Sequence, residues 1–405
     1  MNTEEQKFKR YSDSDVGMLK TIIDEYQSPS YIYSKKTIEN SYNILKENLP
    51  DKFRIFYAQK SNPNSEILKL IASLGAGCDT ASLGEMKSAI KAGFPKNKIM
   101  LTGPAKTEFE IKFAIEGGLS SINVESVQEL LLVDNIALQS GKIQNILVRI
   151  NPPYESGEPT RIIGGTGVSK FGIDIEQIDE FFRTLKDLEN VSLKGIHIFN
   201  SSQILDAEKI YNNTKNVIDT AISLSREYSF DISHIDLGGG FGIPYSENEN
   251  ALDIGKLGSK LNDLIESVKY RNFLKDVELI YEPGRYLSGK AGIYITKILY
   301  NKTSRGKNIL LIDGGIHHML RPALIGQTHP VVNLTALFEN RKAETEEYMI
   351  AGPLCTSFDT FGENITLPHT EQGDILAVMN AGAYGFTESM PDFLSHPPAT
   401  EIFTD

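Results

Sequence analysis

The chain has 405 residues, of which 40% are hydrophobic and 23% charged, and its formal net charge is -12. A chain of this length can bury a full core and suggests two domains. The acidic balance argues against nucleic-acid partners, and no apolar run reaches the roughly 20 residues that span a bilayer. The polar start Met1–Lys7 lacks the apolar core of a secretion signal, so we expect a cytoplasmic protein.

The two cysteines, Cys78 and Cys355, lie far apart in the sequence. They have no CxxC spacing and no clustered histidines beside them, which argues against a zinc site and against a disulfide scaffold. We therefore expect no metal.

Residues 1–26 are predicted to be helical, and a short strand over 28–33 follows a proline turn. From residue 35 onward, β-like runs alternate with amphipathic stretches, among them 35–49, 65–74, 176–188 and 207–228. Most of these runs end in Gly, Ser, Asn or an acid; they lie near 54–60, 75–82, 99–102, 121–124, 146–150, 193–199, 234–237 and 277–281. Eight such runs predict a (βα)8 barrel over 35–284, with a closed parallel sheet and right-handed crossovers.

After about residue 285 the helical periodicity ends, and β-like runs lie over 291–300, 308–312, 347–350 and 374–379. These runs predict a separate β domain formed by residues 285–405 together with 1–34. The segment 151–167, with a Pro-Pro pair and several glycines, is long for a βα loop, and we expect it to form a lid or specificity loop.

The run Arg54–Asn64 delivers Lys60 at the end of a predicted barrel strand. Enzymatic barrels carry their chemistry at that end of the strands. A partly desolvated lysine is the residue type that forms a Schiff base with a carbonyl cofactor. The alternative is an ordinary surface lysine at the end of an edge strand.

Three further sequence features have a chemical interpretation. The segment Gly238–Gly242 directly follows a predicted strand and could offer backbone N–H groups to a phosphate, although many such clusters are tight turns. The segment Glu282–Arg285 ends the eighth strand with two charges, which could also form a surface ion pair. The loop Gly352–Asp359 contains Cys355, and a lone cysteine is more often inert than catalytic.

These features together resemble the fold-type III pyridoxal-phosphate decarboxylases, which include diaminopimelate and ornithine decarboxylases. The resemblance covers nearly the whole chain. It depends on motifs that occur in the family's order: 57–62, Asp79–Glu85, Ser169–Gly172, Gly238–Gly240, Glu282–Arg285, Gly352–Asp359 and Gly382–Tyr384.

The resemblance implies a role for many individual residues. Lys60 would hold pyridoxal phosphate covalently, and Glu282 would face its pyridine nitrogen and keep the ring protonated. Cys355, from the second subunit of a homodimer, would be the catalytic acid. The other implied cofactor-binding residues are Asp79, Arg149, His197, Phe199, Ser202, Gly238, Gly239, Gly240, Arg285 and Tyr384.

The implied substrate-binding residues are Arg285, Arg321, Ile325, Thr356, Asp359 and Tyr384. Arg321 would bind a distal carboxylate, but four positions depart from the expected pattern. Phe199 and Ser201 stand where the family usually has a histidine and a glycine. Relative to diaminopimelate decarboxylases, Ile325 replaces a tyrosine, and Thr356 replaces the glutamate opposite the distal ammonium.

These departures, together with the segments Gly382–Phe386 and Phe393–Pro397, resemble the branch that serves siderophore, antibiotic or exopolysaccharide pathways. Some members of that branch act on an amino acid attached to citrate or to a carrier protein. We therefore expect a conjugated substrate that enters near 154–166, with free meso-diaminopimelate as the alternative. A racemase would have an arginine in place of Glu282. A non-catalytic pyridoxal-phosphate-binding protein would not need the thiol loop.

Overall fold

The computed structural model describes residues 3–152, 169–341 and 344–404. Its strands are β1 (Ser30–Ser34), β2 (Phe53–Ala58), β3 (Gly77–Thr80), β4 (Ile99–Leu101), β5 (Ser121–Val124), β6 (Gln144–Asn151), β7 (Ile173–Asp174), β8 (Val191–His197), β9 (His234–Asp236), β10 (Glu278–Tyr281), β11 (Gly292–Ser304), β12 (Lys307–Ile312), β13 (Val331–Asn333), β14 (Thr345–Ala351), β15 (Thr360–Pro368), β16 (Ile375–Val378) and β17 (Thr400–Thr404).

Its α-helices are α1 (Thr3–Tyr11), α2 (Val16–Glu25), α3 (Lys35–Asn48), α4 (Ser65–Ser73), α5 (Leu83–Ala92), α6 (Glu108–Gly117), α7 (Val127–Gln139), α8 (Ile178–Leu185), α9 (Ala207–Tyr228), α10 (Ile254–Glu266), α11 (Arg285–Ser288), α12 (Arg321–Ile325) and α13 (Leu334–Phe338). In the part of the chain described, no helix is both long and apolar enough to cross a membrane. The expected lid over 151–167 lies outside the described residues from position 153 onward, and so does the expected substrate entry near 154–166.

The chain divides into two compact units. One comprises Met1–Ser41, Pro244–Asn250 and Arg285–Asp405, and the other comprises Tyr42–Ile243 and Ala251–Gly284. Each unit has its own sheet.

Eight parallel strands of the second unit form a closed barrel, so the predicted architecture is confirmed. Neighbouring strands pair in the order β5, β4, β3, β2, β10, β9, β8 and β6, and the pairing of β5 with β6 closes the sheet. Parallel neighbours require a crossover connection, and helices supply it here. A buried cluster of Phe56, Met100, Leu147 and Ile280 packs together as part of the core.

The loops that follow the barrel strands are short where a helix begins with a capping residue. Ser82 accepts the Glu85 N–H at the start of α5, only two residues after β3 ends. Ser126 accepts the Glu129 N–H at the start of α7 in the same way. Such caps satisfy N–H groups that a helix cannot pair internally, and they hold the carboxyl ends of the strands in place.

The first unit is built on a mixed sheet in which β13, β16, β11, β12, β14 and β15 follow one another. Strand β1 pairs antiparallel with β11 and parallel with β17. The predicted runs correspond to β11, β12, β14 and β16, whereas β13, β15 and β17 were not predicted. Strand β15 contains Gly, Glu, Asn and Pro, which are poor strand formers, and the other two are short. Phe8 of α1 and Leu19 of α2 are buried in the core of this unit.

Candidate active site

Lys60 lies just beyond the end of a barrel strand. Strand β2 ends at Ala58, and residues Gln59–Ser61 form one turn of 3-10 helix. The Lys60 Nζ atom lies 2.9 Å from Oδ2 of Asp79 and 5.8 Å from the centroid of the Phe199 ring. The Asp79 side chain is only 1% exposed, whereas that of Lys60 is 41% exposed. The structure therefore orients an accessible amine with a buried carboxylate at the mouth of the barrel.

A buried cluster of His197, Asp236 and Glu282 occupies the ends of β8 and β9 and the residue after β10. Each contributes one potential ligand atom, and these atoms lie within 4.8 Å of one another. The His197 Nε2 atom is 3.7 Å from Glu282 Oε2, and its Nδ1 atom is 3.2 Å from the Asn123 side chain. The cluster thus places two carboxyl groups and one imidazole in a space closed to solvent.

Burial raises the pKa of Glu282 well above its usual value, and the neighbouring charges of Asp236 and Asp79 raise it further. Burial likewise raises the pKa of Asp236. The pKa of His197 is lowered well below its usual value, first by burial and then by Arg149 and Lys60, so this imidazole is neutral at pH 7. It therefore supplies no positive charge to the two acids, and a cationic group beside Glu282 would stabilise its carboxylate.

The glycines after β9 form a surface free of side chains. Gly238 and Gly240 have φ values of 64° and 100°, which favour glycine. A Cβ atom on Gly239 would lie 2.6 Å from the Glu282 carbonyl oxygen, and one on Gly238 would lie 2.6 Å from the Phe199 ring. The N–H groups of Gly239 and Gly240 have no acceptor among the described residues. They are available to an anion, and the half-buried Ser202 lies in the facing segment after β8.

Arg149 belongs to a buried network that the sequence analysis did not predict. Its Nη1 atom donates to Glu125 Oε1 at 2.9 Å, and its guanidinium lies 4.6 Å from the Phe171 ring centroid. Glu125 also accepts the N–H groups of Gly103 and Gly172. The network fixes the motif Ser169–Gly172 beside β6.

Sequence reasoning missed Asn123, Glu125 and Asp236. Their common signal is position, since each lies on or immediately after the carboxyl end of a barrel strand. Polar residues at such ends are candidates for a site. The sequence alone did not distinguish them from residues that end strands in turns.

The remaining predicted residues lie in the first unit. Arg285 is buried, donates to the Tyr245 hydroxyl at 2.9 Å and lies 5.0 Å from the Tyr384 ring centroid. Arg321 lies 4.5 Å from the centroid of the same ring. Ile325 ends α12 and is half-buried. Two arginines and a phenol thus come together, an arrangement suited to binding an anion.

The loop Gly352–Asp359 presents Cys355 at the surface of this unit, with Thr356 half-buried beside it. Asp359 is 2% exposed, and its two carboxylate oxygens accept the N–H groups of Ile316 and Leu354, each at 2.8 Å. The carboxylate that the resemblance assigned to substrate is thus engaged by backbone donors. These bonds shape the loop, and the expected substrate contact of Asp359 stays a prediction.

Comparison with known proteins agrees with this geometry. Residues 35–289 match the family profile described as the pyridoxal binding domain of pyridoxal-dependent decarboxylases. The L-glutamyl-(BtrI acyl-carrier protein) decarboxylase of Niallia circulans is 32% identical over 96% of this chain and 91% of its own. Diaminopimelate decarboxylase of Aquifex aeolicus is 34% identical over 96% and 89%. The crystal structure of diaminopimelate decarboxylase from Helicobacter pylori complexed with L-lysine has a TM-score of 0.86, 30% identity and coverages of 96% and 94%.

A parallel barrel with a lysine at its mouth and a buried acid at its eighth strand is the architecture of a pyridoxal-phosphate enzyme. The chain belongs to the pyridoxal-dependent decarboxylases. It is a carboxy-lyase that acts on an amino acid with pyridoxal phosphate as cofactor.

The barrel residues fit this cofactor. The Oε1 atom of Glu282 is buried without a conventional hydrogen-bond donor among the described residues, which suits a protonated ring nitrogen. The N–H groups of Gly239 and Gly240, which have no acceptor within residues 3–152, 169–341 and 344–404, suit a phosphate. The Lys60 amine suits its aldehyde. The expectation that no metal is needed stays a prediction.

Proposed function

We propose that this enzyme decarboxylates the α-amino acid end of a substrate whose far end is modified or conjugated, for example to citrate or to a carrier protein. The loop Gly352–Asp359 carries the proposal. Its only carboxylate, Asp359, is buried and bonded to backbone N–H groups. Thr356 stands where diaminopimelate decarboxylases have a glutamate, and a neutral hydroxyl does not offset the charge of a distal ammonium.

A similar enzyme supports this choice of substrate class. The Niallia circulans relative acts, according to its name, on a glutamyl group carried by an acyl-carrier protein. A carrier-linked or citrate-linked substrate would belong to a secondary pathway, such as the synthesis of a siderophore, an antibiotic or an exopolysaccharide.

We assign the following roles to the barrel residues. Pyridoxal phosphate supplies an electron sink for the electron pair left when carbon dioxide departs. Lys60 is the covalent anchor, and Glu282 holds a proton on the ring nitrogen. Gly238, Gly239, Gly240 and Ser202 bind the phosphate, and the four residues that border the ring are Asp79, Arg149, His197 and Phe199.

For the first unit we retain the roles implied by the resemblance. Arg285 and Tyr384 are proposed phosphate and substrate ligands, because a guanidinium and a phenol both donate to anions. Cys355, which is exposed, is the proposed acid that returns a proton to the α-carbon. We propose that it acts in a homodimer, in which the second copy supplies it.

The test is carbon dioxide release across a panel of free and conjugated amino acids, with Lys60→Ala as the variant that must lose turnover and the visible absorption of the bound cofactor. Wild type should be slow with free meso-diaminopimelate. Thr356→Glu should raise kcat/KM for that compound by roughly 30- to 1000-fold, the effect of restoring a partner to a desolvated ammonium. The conjugated-substrate proposal is wrong if wild type already turns over diaminopimelate efficiently and the glutamate gives no gain.

Diaminopimelate decarboxylase is the second candidate. It is favoured by the presence of Arg321 and by the Aquifex aeolicus relative. The same measurement separates the two candidates. A protein that binds the cofactor but releases carbon dioxide from no substrate would instead support the non-catalytic alternative.

A further inference from the structure

Arg321, the residue expected to bind the far end of the substrate, is already paired within its own unit. Its side chain is only 2% exposed. The Nη1 atom donates to Glu388 Oε2 at 2.6 Å, and the Nε atom donates to Gln327 Oε1 at 2.7 Å. The Nη2 atom donates to no residue in the described part of the chain. Arg321 can therefore still donate a hydrogen bond from Nη2, although Glu388 offsets its positive charge.

Glu388 is the more accessible member of this ion pair, since its side chain is 35% exposed. A free carboxylate that approached Arg321 would meet a pair of nearly zero net charge and the like charge of Glu388. Like charges at such distances repel, and burial strengthens the effect. A neutral carbonyl oxygen, as in an amide or an ester, can accept from Nη2 without that repulsion.

We propose that Glu388 is a specificity-determining residue. It offsets the charge of Arg321 and repels a free distal carboxylate, so that Arg321 binds substrates with a neutral distal group. The inference rests on the proposed function and deepens it. It defines the substrate class as α-amino acids whose distal carboxyl is an amide, an ester or a thioester. Gln327 completes the arrangement by holding the guanidinium without adding charge.

The experiment compares Glu388→Gln with wild type on two probes, meso-diaminopimelate and its distal monoamide. The amide side chain of glutamine can still accept from Arg321 but carries no charge. The ratio of kcat/KM for the acid to kcat/KM for the monoamide should rise about ten- to a hundredfold, the range for one charged hydrogen bond. Binding of pimelate, followed by calorimetry, should tighten by a similar factor.

Glu339→Gln is the matched control, because Glu339 pairs with Arg341 Nε at 2.7 Å in the same unit. It removes one negative charge from an ion pair that does not involve Arg321, and it should leave the ratio unchanged. Gln327→Glu adds a second negative charge beside Arg321 and should lower the ratio below the wild-type value.

An acid-to-amide ratio that stays constant or falls in Glu388→Gln, in a variant that melts at the wild-type temperature, overturns the inference. So does an equal rise in Glu339→Gln. Failure of the proposed function has a different signature, because wild type would then already be efficient with free diaminopimelate. The change in the acid-to-amide ratio between wild type and Glu388→Gln can be measured whatever the activity of wild type with free diaminopimelate.

Discussion

Glu282 is a buried acid beside two other acids, and its environment explains both a chemical and a stability property. Burial and the charges of Asp236 and Asp79 raise its pKa in the cofactor-free protein. A positive charge on the cofactor ring would lower the pKa of Glu282, because a neighbouring opposite charge favours the ionised carboxylate. The same residue therefore destabilises the cofactor-free protein above acidic pH and serves the reaction when the cofactor is bound.

Glu282→Gln tests both properties. The pKa of Glu282 is raised on folding from its ordinary value near 4.5. Its contribution to stability is therefore fully present below that pH and is lost as the pH rises through the higher folded value. As the pH rises from about 5 toward the raised pKa of folded Glu282, the cofactor-free wild type should lose stability relative to Glu282→Gln by up to about 1.4 kcal/mol per pH unit, measured by urea unfolding.

Decarboxylation by the same variant should fall by about 10²- to 10³-fold, because a neutral amide no longer stabilises charge at the ring nitrogen. An identical pH dependence of unfolding in wild type and variant would show that Glu282 does not hold a proton in the cofactor-free protein.

Two loop segments in the barrel show why side-chain-free backbone is needed at this site. The glycines after β9 pack against the segment after β8, where Ile204 accepts the Gly242 N–H and donates to the Gly240 carbonyl. The Glu282 N–H donates to the Gly238 carbonyl, so the same glycines also position the buried acid. The phosphate-binding segment and the acid are therefore parts of one hydrogen-bonded element.

Gly239→Ala should distort the hydrogen-bonded segment that the glycines after β9 form with Glu282. Its Cβ atom would lie 2.6 Å from the Glu282 carbonyl oxygen, which is backbone and cannot rotate away. We expect pyridoxal-phosphate affinity, measured by equilibrium titration, to fall at least about tenfold, since roughly 1.4 kcal/mol of strain has that effect. Gly84→Ala is the control, because a Cβ atom there meets only Ser82 Oγ at 3.8 Å and α5 accepts alanine. Equal affinity in Gly239→Ala and wild type would contradict a phosphate site at these glycines.

At the scale of the whole molecule, the proposed catalytic residues lie in different units, with Lys60 in the barrel and Cys355 in the β unit. A homodimer in which each copy lends its cysteine to the other would generate two identical shared sites. Inactive chains that lack different residues could then restore function together.

Mixing Lys60→Ala chains with Cys355→Ala chains should recover up to about one quarter of wild-type activity, because random exchange makes half of the dimers mixed and each mixed dimer has one intact site. The controls are Lys60→Ala chains alone and Cys355→Ala chains alone, each taken through the same exchange procedure. Carbon dioxide release is measured after exchange is demonstrated with differently tagged chains. Exchange without recovery of activity would rule out shared sites.

Much of the fold and half of the site could be predicted from local patterns. Alternating apolar runs and amphipathic stretches predicted the barrel, and Lys60, the glycines after β9 and Glu282 were predicted because each directly follows a strand-like run. These signals lie within a few neighbouring residues, which is the range over which periodicity and turn chemistry act. Strand ends were less certain, and Lys60 lies in a 3-10 turn two residues past the end of β2.

Pairings between distant residues depended on the tertiary structure. Glu388 is 67 residues from Arg321, and Asp359 is 43 residues from the Ile316 N–H that it accepts. Asp236 and Glu282 come together only because β9 and β10 are neighbours in the closed sheet. The sequence by itself determined which residue types stand at the strand ends and in the thiol loop. Only the fold decided which charges are buried together and which are already neutralised, because burial and electrostatic pairing depend on distances in space.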